Sequence, residues 1–241
     1  GTSLTTGGDA SLTAGVSTNL TPTNPVSLSW TNVNAGTTFE AQAYGGTIAT
    51  LGSATSGGTQ TIGATGNIGF TTLLANAGDV DVASTAGSIA GTTATAKGSA
   101  DLAAYGDNTG TTLTTLTGSA TLSATMGRID WANVNAATTF GATAKAGAIE
   151  LGSATSDGTE TIEAYLGLGY TTLKTTGIAG GDVGDIRLTS DTASITGNAP
   201  SDTLDANGSF ILNAATAIAA TALTAETGTG FVKSGGTIGL G

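Results

Sequence analysis

The chain has 241 residues, a formal net charge of −11, 39 glycines and neither cysteine nor histidine. Without cysteine and histidine, a disulfide scaffold and the commonest transition-metal sites are excluded. Because the six basic residues are scattered and no apolar run reaches about 18 residues, we expect neither nucleic-acid binding nor membrane insertion.

The first residues already follow a repeating pattern. Gly1–Thr23 contains one coil of this pattern, with Leu12 and Val16 as its expected inward residues. The prolines of Thr21–Pro25 predict a protruding corner, because proline cannot donate a hydrogen bond to a strand ladder. No signal peptide is visible, so we interpret the chain as a mature or excised segment.

The pattern repeats about every twenty residues, almost without insertion from Phe39 to Ile162. Apolar and polar residues alternate, which predicts short strands with one buried face. One predicted inward column contains Ile62, Val82, Leu102 and Leu122, with Leu12, Phe39, Phe140, Ile162, Leu188 and Leu212 at looser spacing. A second contains Ile48, Ile68, Ile89, Ile129, Ile149, Leu168 and Ile195, and Phe70, Trp131, Leu151 and Tyr170 lie two residues beyond members of it. Such fixed self-similarity is typical of a solenoid.

The clearest coil begins at Ser119. Leu122 alternates with polar neighbours, Gly127 interrupts the strand, and Ile129 begins a second alternating segment. Val134 is expected to begin a third short segment. Segments this short need partner strands, and the neighbouring copies of the pattern supply them.

A longer period is an internal duplication of roughly 100 residues, in which the block at 27–91 returns at 128–197. Trp30 corresponds to Trp131, and Ile48 corresponds to Ile149. We therefore predict one all-β domain over residues 1–241, a right-handed parallel β-helix (a β-solenoid). About ten coils of about twenty residues would form a rod on the order of 50 Å long.

The pattern loosens towards the C-terminus. Lys174–Gly184 is predicted to be a loop, because the spacing between apolar positions stretches between Ile162 and Leu188, and Gly197–Gly208 is predicted to be a second loop. Phe210–Ala225 is alanine-rich, but its alternation favours another strand over a helix. Phe231–Gly241 begins a coil that the chain does not complete. With Leu4 and Leu12 at the other end, we expect open strand edges at both ends of the rod.

Carboxylates are the candidates for chemistry. Asp81 and Asp101 are twenty residues apart, and Asp130 and Glu150 share another face, so a solenoid would place each pair on adjacent coils. Stacked carboxylates are suited to weak Ca²⁺ binding or acid–base catalysis. Solubilising charge on the surface is the favoured interpretation, since a Ca²⁺ site normally has about six or more oxygen ligands.

Two further patterns are weaker. Arg128, Lys145 and Arg187 are too dispersed for the basic cleft of an enzyme acting on acidic polysaccharides. Gly45-Gly46 and Gly235-Gly236 lack the lysine of a phosphate-binding loop and are interpreted as corners with positive φ. We therefore expect no catalytic, cofactor-binding or metal-binding residues and no enzymatic activity.

Two surface interpretations remain. Trp30 and Trp131 would form a sugar-stacking platform if exposed, but their alternating context favours a buried or half-buried position. A column of threonines is similar to a flat ice-binding face, although Asp81 and Asp101 interrupt it; its members are Thr38, Thr61, Thr121, Thr139 and Thr161.

The motif Gly-x-Ile-x-Leu, repeated in a background of Ser, Thr, Ala and Gly, resembles the filamentous haemagglutinin family of two-partner secretion systems. The local matches are GDIRLTS at Gly184–Ser190 and GRIDWANVNA at Gly127–Ala136. The resemblance implies a right-handed parallel β-helix that is secreted to the cell surface of a Gram-negative bacterium. It also implies service as an adhesin fibre or stalk.

Three functions are open at this point. The leading one is a structural or adhesive segment of a secreted β-helical exoprotein, whose partner is a host-cell or matrix glycan or protein receptor. The second is an extracellular filament or surface-layer subunit that associates with other copies of itself end to end. The third is a polysaccharide-active β-helix enzyme, which needs clustered acids that the pattern does not assemble.

Overall fold

A computed structural model describes residues 1–15, 26–178, 183–198 and 201–240. These residues form two parallel β-sheets, one of 14 strands and one of 11, which face each other across the core. Within this part of the chain no helix is long and apolar enough to cross a membrane. The predicted all-β class is confirmed.

Strands are numbered in chain order. The 14-stranded sheet A contains β1 Ser3–Thr6, β3 Val26–Ala35, β5 Gly46–Ser56, β7 Ile68–Ala75, β9 Ile89–Ala96, β11 Asn108–Thr115, β13 Ile129–Ala136, β15 Ile149–Ser156, β17 Leu168–Thr175, β19 Ile195–Gly197, β20 Thr203–Ala206, β22 Ile218–Ala220, β23 Ala222–Ala225 and β25 Ile238–Leu240. The 11-stranded sheet B contains β2 Ala10–Ala14, β4 Phe39–Ala43, β6 Gln60–Ala64, β8 Val80–Ser84, β10 Ala100–Ala104, β12 Ala120–Ala124, β14 Phe140–Ala144, β16 Glu160–Ala164, β18 Ile186–Ser190, β21 Phe210–Ala214 and β24 Gly230–Ser234.

From β2 to β17 each coil consists of one short strand in sheet B and one long strand in sheet A. In the next two coils the long strand is divided, into β19 and β20 and then into β22 and β23. In β12 the inward residues alternate strictly with outward ones. In β13 the alternation is interrupted at Ala132 and Asn133, both outward, and the pairing with β15 skips Ala132. Because two successive residues face outwards, the chain turns a corner there. The third segment predicted at Val134 is therefore the second half of β13.

The first inward column is confirmed at its four central members. Ile62 pairs with Val82, Val82 with Leu102, and Leu102 with Leu122, all in parallel register. Each of these side chains is at most 2% exposed. The chain is thus a parallel β-solenoid of about ten coils with a spacing of about twenty residues. With strands ~4.8 Å apart, the rod is roughly 50 Å long. Its right-handedness stays a prediction.

Two looser members of that column are placed wrongly by the sequence pattern. Phe39 pairs with Gln60, and Phe140 pairs with Glu160, so both rings lie one inward position earlier. The position beside Ile62 is occupied by Ala41. Because side chains alternate with period two, a slip of two residues keeps the same face buried, and the pattern cannot distinguish the two registers.

The second inward column is confirmed, with a polar member in its gap. Asn108 lies between Ile89 and Ile129 and is fully buried. Its Nδ2 donates to the carbonyl oxygens of Leu102 (2.6 Å) and Ser123 (3.2 Å). Its Oδ1 accepts a hydrogen bond from Trp131 Nε1 (3.1 Å). The amide is therefore satisfied on both sides, which is the condition for burying it.

Large aromatic rings in the core are accommodated by glycines on adjacent coils. Trp131 pairs with Gly110, and a Cβ atom on Gly110 would lie 2.4 Å from the indole ring. Phe70 pairs with Gly91 in the same way, with the added Cβ 2.1 Å from the ring. Glycine on one coil thus provides the volume that the ring on the next coil occupies.

The predicted loops are partly confirmed. Val16 and Thr21–Pro25 lie outside the described residues, as do 179–182 of Lys174–Gly184; the described residues of that segment after Thr175 contain no strand. Residues 199 and 200 of Gly197–Gly208 also lie outside the described residues; the described part is not wholly a loop, because β20 lies inside it and pairs with β17. The alanine-rich Phe210–Ala225 forms β21, β22 and β23, as its alternation predicted.

Positive φ accounts for only one of the four glycines that were interpreted as corners. Gly45 has φ 67°, but Gly46, Gly235 and Gly236 are not among the glycines with positive φ. A Cβ atom on Gly235 would instead lie 2.2 Å from the carbonyl oxygen of Ala215 on the preceding coil. These residues are small because stacked corners approach each other closely.

Candidate functional site

The first carboxylate pair lies in register on the outer face of sheet B. Asp81 pairs with Asp101, as predicted. Burial raises the pKa of Asp81, and the neighbouring charges of Asp79 and Asp101 add to the increase; burial also raises the pKa of Asp101. Among the described residues no three acidic side chains come together as metal ligands do. Two stacked carboxylates alone do not supply the oxygen ligands that Ca²⁺ requires.

The second carboxylate pair is also in register, but each member has a different partner. Asp130 pairs with Glu150 across β13 and β15. Arg128 forms an ion pair with Asp130 (3.4 Å), and Asn198 Nδ2 donates to Glu150 Oε2 (2.6 Å). These partners hold the two carboxylates on the outer surface separately.

The dispersed basic residues do not form a cleft with one another. Arg128 pairs with Asp130 at one corner, and Arg187 pairs with Asp185 (3.1 Å) at the start of β18. Lys145 follows β14, at the same corner as Arg128 but one coil further on and at the other end of the connection. The carboxylate partners of both arginines further reduce the positive potential that an anionic substrate would encounter.

The threonine column is only partly correct. Thr61, Thr121 and Thr161 lie in one outward column of sheet B with the two aspartates. Thr38 and Thr139 precede β4 and β14 and lie at a corner instead. Because a shift of one residue moves a side chain off the face, these two threonines do not extend the column.

The tryptophans do not form an exposed platform. Trp131 is 0% exposed, and its indole nitrogen donates to the buried Asn108. Trp30 is partly buried and packs against the hydrophobic core. The expectation of buried or half-buried positions is therefore confirmed.

A row of exposed aromatic side chains lies elsewhere, at the corner that follows each strand of sheet B. Tyr44, Tyr105 and Tyr165 are 39%, 44% and 46% exposed. Each is the residue immediately after its strand, and its backbone nitrogen donates to the preceding coil at 2.9 Å. The acceptors are the carbonyl oxygens of Ala14, Ser84 and Ala144. These bonds fix the backbone from which each ring projects.

The three tyrosines are evenly spaced along the rod. Thr65 and Thr85 occupy the two corners between Tyr44 and Tyr105, and Thr125 and Lys145 occupy the next two. Neighbouring tyrosines are therefore three coils apart, which is ~14 Å at the usual strand spacing. Met126 and Leu166 are exposed one position further along the same corner. We call Tyr44, Tyr105, Met126, Tyr165 and Leu166 the tyrosine edge.

A groove of about 360 Å³ adjoins the first of these tyrosines. Its lining includes Tyr44, Gln42, Thr61, Thr65 and Asp81. Gly63 forms part of its floor, and a Cβ atom there would lie 2.3 Å from Gln42 Oε1. The groove thus brings together an aromatic ring, an amide, hydroxyls and one carboxylate.

The pattern analysis missed the tyrosine edge because the duplication conceals it. Tyr44 corresponds to Lys145 in the second block, and Tyr165 corresponds to Thr65 in the first. A signal was present in the spacings of 61 and 60 residues between the three tyrosines, about three coils each. Its meaning depends on knowing that these positions share one corner.

No protein-family profile, curated protein or solved structure matches the chain. The resemblance to filamentous haemagglutinins therefore rests on the repeat motif. What the structure establishes is the architecture, a parallel β-solenoid of about ten coils.

Proposed function

We propose that this chain is a structural and adhesive rod of a secreted, cell-surface exoprotein of the filamentous haemagglutinin type. The observation that carries the proposal is the tyrosine edge, in which three exposed tyrosines recur at regular intervals along one corner of the solenoid. A rod of stacked coils holds such a row at fixed intervals and is suited to extended contact. The export route and the Gram-negative cell surface follow from the motif resemblance and are part of the proposal.

The adhesive function is tested with the folded chain coupled to fluorescent beads. Beads carrying the chain are expected to bind epithelial cell layers or extracellular matrix in a saturable way, with the free chain as competitor. Beads carrying an unrelated protein of similar size and net charge are the control. Equal retention of both bead types, or no competition by the free chain, would contradict the proposal.

A polysaccharide-active enzyme is the alternative from a different class. In the proposal the chain binds without cutting, because Arg128 neutralises Asp130, Asn198 holds Glu150, and among the described residues no three acidic side chains come together as metal ligands. Incubation with pectin, uronans and neutral glycans is expected to produce no new reducing ends. Turnover that disappears in Asp81→Asn or Asp130→Asn would establish the enzyme instead.

Axial self-association is the second candidate function. In the last described coil Ile238 and Leu240 are 49% and 56% exposed, although both lie in inward columns of sheet A. Phe231 is also exposed, but it lies in an outward column next to Ile211 and does not belong to the end face. A second copy placed at ~4.8 Å would continue the sheets, a contact that does not close and so forms filaments.

Light scattering across a concentration series tests this association. The 241-residue chain is expected to grow into linear assemblies at high concentration, and Ile238→Lys with Leu240→Lys is expected to prevent it. Phe231→Lys is the matched control and should leave assembly unchanged. A chain that stays monomeric at about millimolar concentration, with its terminal coil ordered, would refute axial assembly.

A further inference from the structure

We propose that the tyrosine edge binds an extended, neutral polysaccharide chain that lies along the rod axis. The inference builds on the proposed adhesive function, because it names the class of ligand that the rod would hold.

The spacing favours a polymer with its own regular repeat. The rings of Tyr44, Tyr105 and Tyr165 project from corners whose backbone is bonded to the preceding coil. They span six coils, or ~29 Å along the axis. A tyrosine ring offers an apolar face and a polar tip, so it stacks against the C–H face of a pyranose while its hydroxyl stays hydrated. One long chain touching three rings gains avidity that a short one cannot.

The groove beside Tyr44 supplies hydrogen-bonding groups of the kind that sugar hydroxyls need. Gln42 offers an amide, Thr61 and Thr65 offer hydroxyls, and Asp81 offers a carboxylate. These groups both donate and accept, as hydroxyl-rich ligands require. The lining contains no lysine or arginine that would select a sulfate, phosphate or uronate.

The charge around the edge argues against other polymers. Asp81 and Asp101 lie on the adjoining outer face of sheet B, and Glu163 is exposed on β16 just before Tyr165. With a net charge of −11, this surface repels anionic glycans and a second copy placed side by side. Two cations lie in this corner between Tyr105 and Tyr165: Arg128, which forms an ion pair with Asp130, and Lys145.

The distribution of apolar groups argues against a folded protein partner. Such a partner needs a contiguous buried patch with a dense apolar centre. On the tyrosine edge the apolar groups occur singly or in pairs, and polar corners such as Thr65 and Thr85 separate them. A flexible, hydrated polysaccharide can bind to separated rings, because it does not need a contiguous apolar patch.

Affinity electrophoresis tests the proposal directly. The intact chain is run through gels containing soluble neutral polysaccharides such as hydroxyethylcellulose or glucomannan, and through gels containing polygalacturonate or heparin. We expect retardation by at least one neutral polymer and none by the anionic ones. Changing all three tyrosines (Tyr44→Ser, Tyr105→Ser, Tyr165→Ser) is expected to abolish it, with each single change weakening binding about 3- to 10-fold.

Two controls keep the result interpretable. The corresponding triple change to phenylalanine keeps the rings and is expected to retain binding within about 3-fold. The change Phe231→Ser removes an exposed ring outside the edge and should have no effect. Because all these positions are exposed, thermal unfolding of every variant is expected to match that of the unchanged chain.

The dependence of binding on ligand length provides an independent test. Oligosaccharides long enough to span ~29 Å are expected to bind at least tenfold more tightly than those shorter than ~14 Å, which reach one tyrosine. The proposal would be overturned by retardation in anionic polymers alone or by selective binding of a cationic peptide. Unchanged binding after the triple serine change would overturn it as well. If beads of the triple serine variant still adhere to cells, the adhesive function stands and the glycan assignment falls.

Discussion

Replacing Leu102 by aspartate is expected to destabilise the rod by roughly 3–5 kcal/mol, because the change buries an unpaired charge in the middle of the core. Leu102 is 0% exposed and lies between Val82 and Leu122 in the inward column. Chemical denaturation followed by circular dichroism measures the loss. Since each coil contacts only its neighbours, hydrogen exchange should accelerate first in β8, β10 and β12.

Two controls separate burial from charge. Thr111→Asp makes the same change of charge at an exposed position of β11 and should cost little. Thr112→Ser, on the outer side of the same strand, should cost well under about 1 kcal/mol. Similar losses for the inward and outward aspartates would show that the register of the coils is wrong.

Stability is also expected to fall as the pH rises, because of one buried carboxyl group. Glu160 is 0% exposed in the inward column between Phe140 and Ile186, and neither of its carboxyl oxygens has a hydrogen-bond partner. Burial raises its pKa well above the usual value. The nearby Ser156 hydroxyl donates to the Gly158 carbonyl instead (2.8 Å).

The duplicated block shows which hydrogen bonds a side chain at the position of Glu160 can make. Gln60 is the counterpart of Glu160, and its Nε2 donates to the carbonyl oxygens of Ala54 and Leu74, both at 2.9 Å. A glutamine therefore brings two donors to a place lined by backbone acceptors. A carboxyl group brings one donor when it is protonated and none when it is ionised.

The sign of the pH effect follows from proton binding. A carboxyl group with a raised pKa keeps its proton in the folded chain at pH values where the unfolded chain has lost it. Its stabilising contribution is complete below the unfolded pKa of about 4.3. Stability then decreases by up to about 1.4 kcal/mol per pH unit until the folded pKa of Glu160 is reached.

Glu160→Gln is expected to remove most of this pH dependence and to stabilise the chain at neutral pH. Denaturation midpoints measured across the pH range test this. Glu163→Gln is the matched control, since Glu163 is exposed on the same strand. Because burial also raises the pKa values of Asp81 and Asp101, part of the slope should persist in every variant. Parallel pH curves for the unchanged chain and Glu160→Gln would contradict the assignment.

The amino-acid pattern by itself determined the architecture. Alternation with period two decides which face of a strand is buried, and a repeat near twenty residues brings like positions onto adjacent coils. Both signals are local, so the inward positions of Leu102 and Ile129 and the stacking of Asp81 on Asp101 followed from the sequence. The strand within Gly197–Gly208 did not, because β20 contributes few alternating residues.

Tertiary structure decided which inward position each residue takes and which outward residues become neighbours. Phe39 and Ala41 face the same way, and only the pairing with β6 shows that the ring lies beside Gln60. The repeat spaces Tyr44, Tyr105 and Tyr165 by about three coils each, but it does not reveal that they share an exposed corner, since the duplication replaces Tyr44 by Lys145 and Tyr165 by Thr65 in its other copy. The physical reason is that side-chain direction is set by the chain's own geometry, whereas neighbours across coils are set by hydrogen-bond register, which exists only after the coils stack.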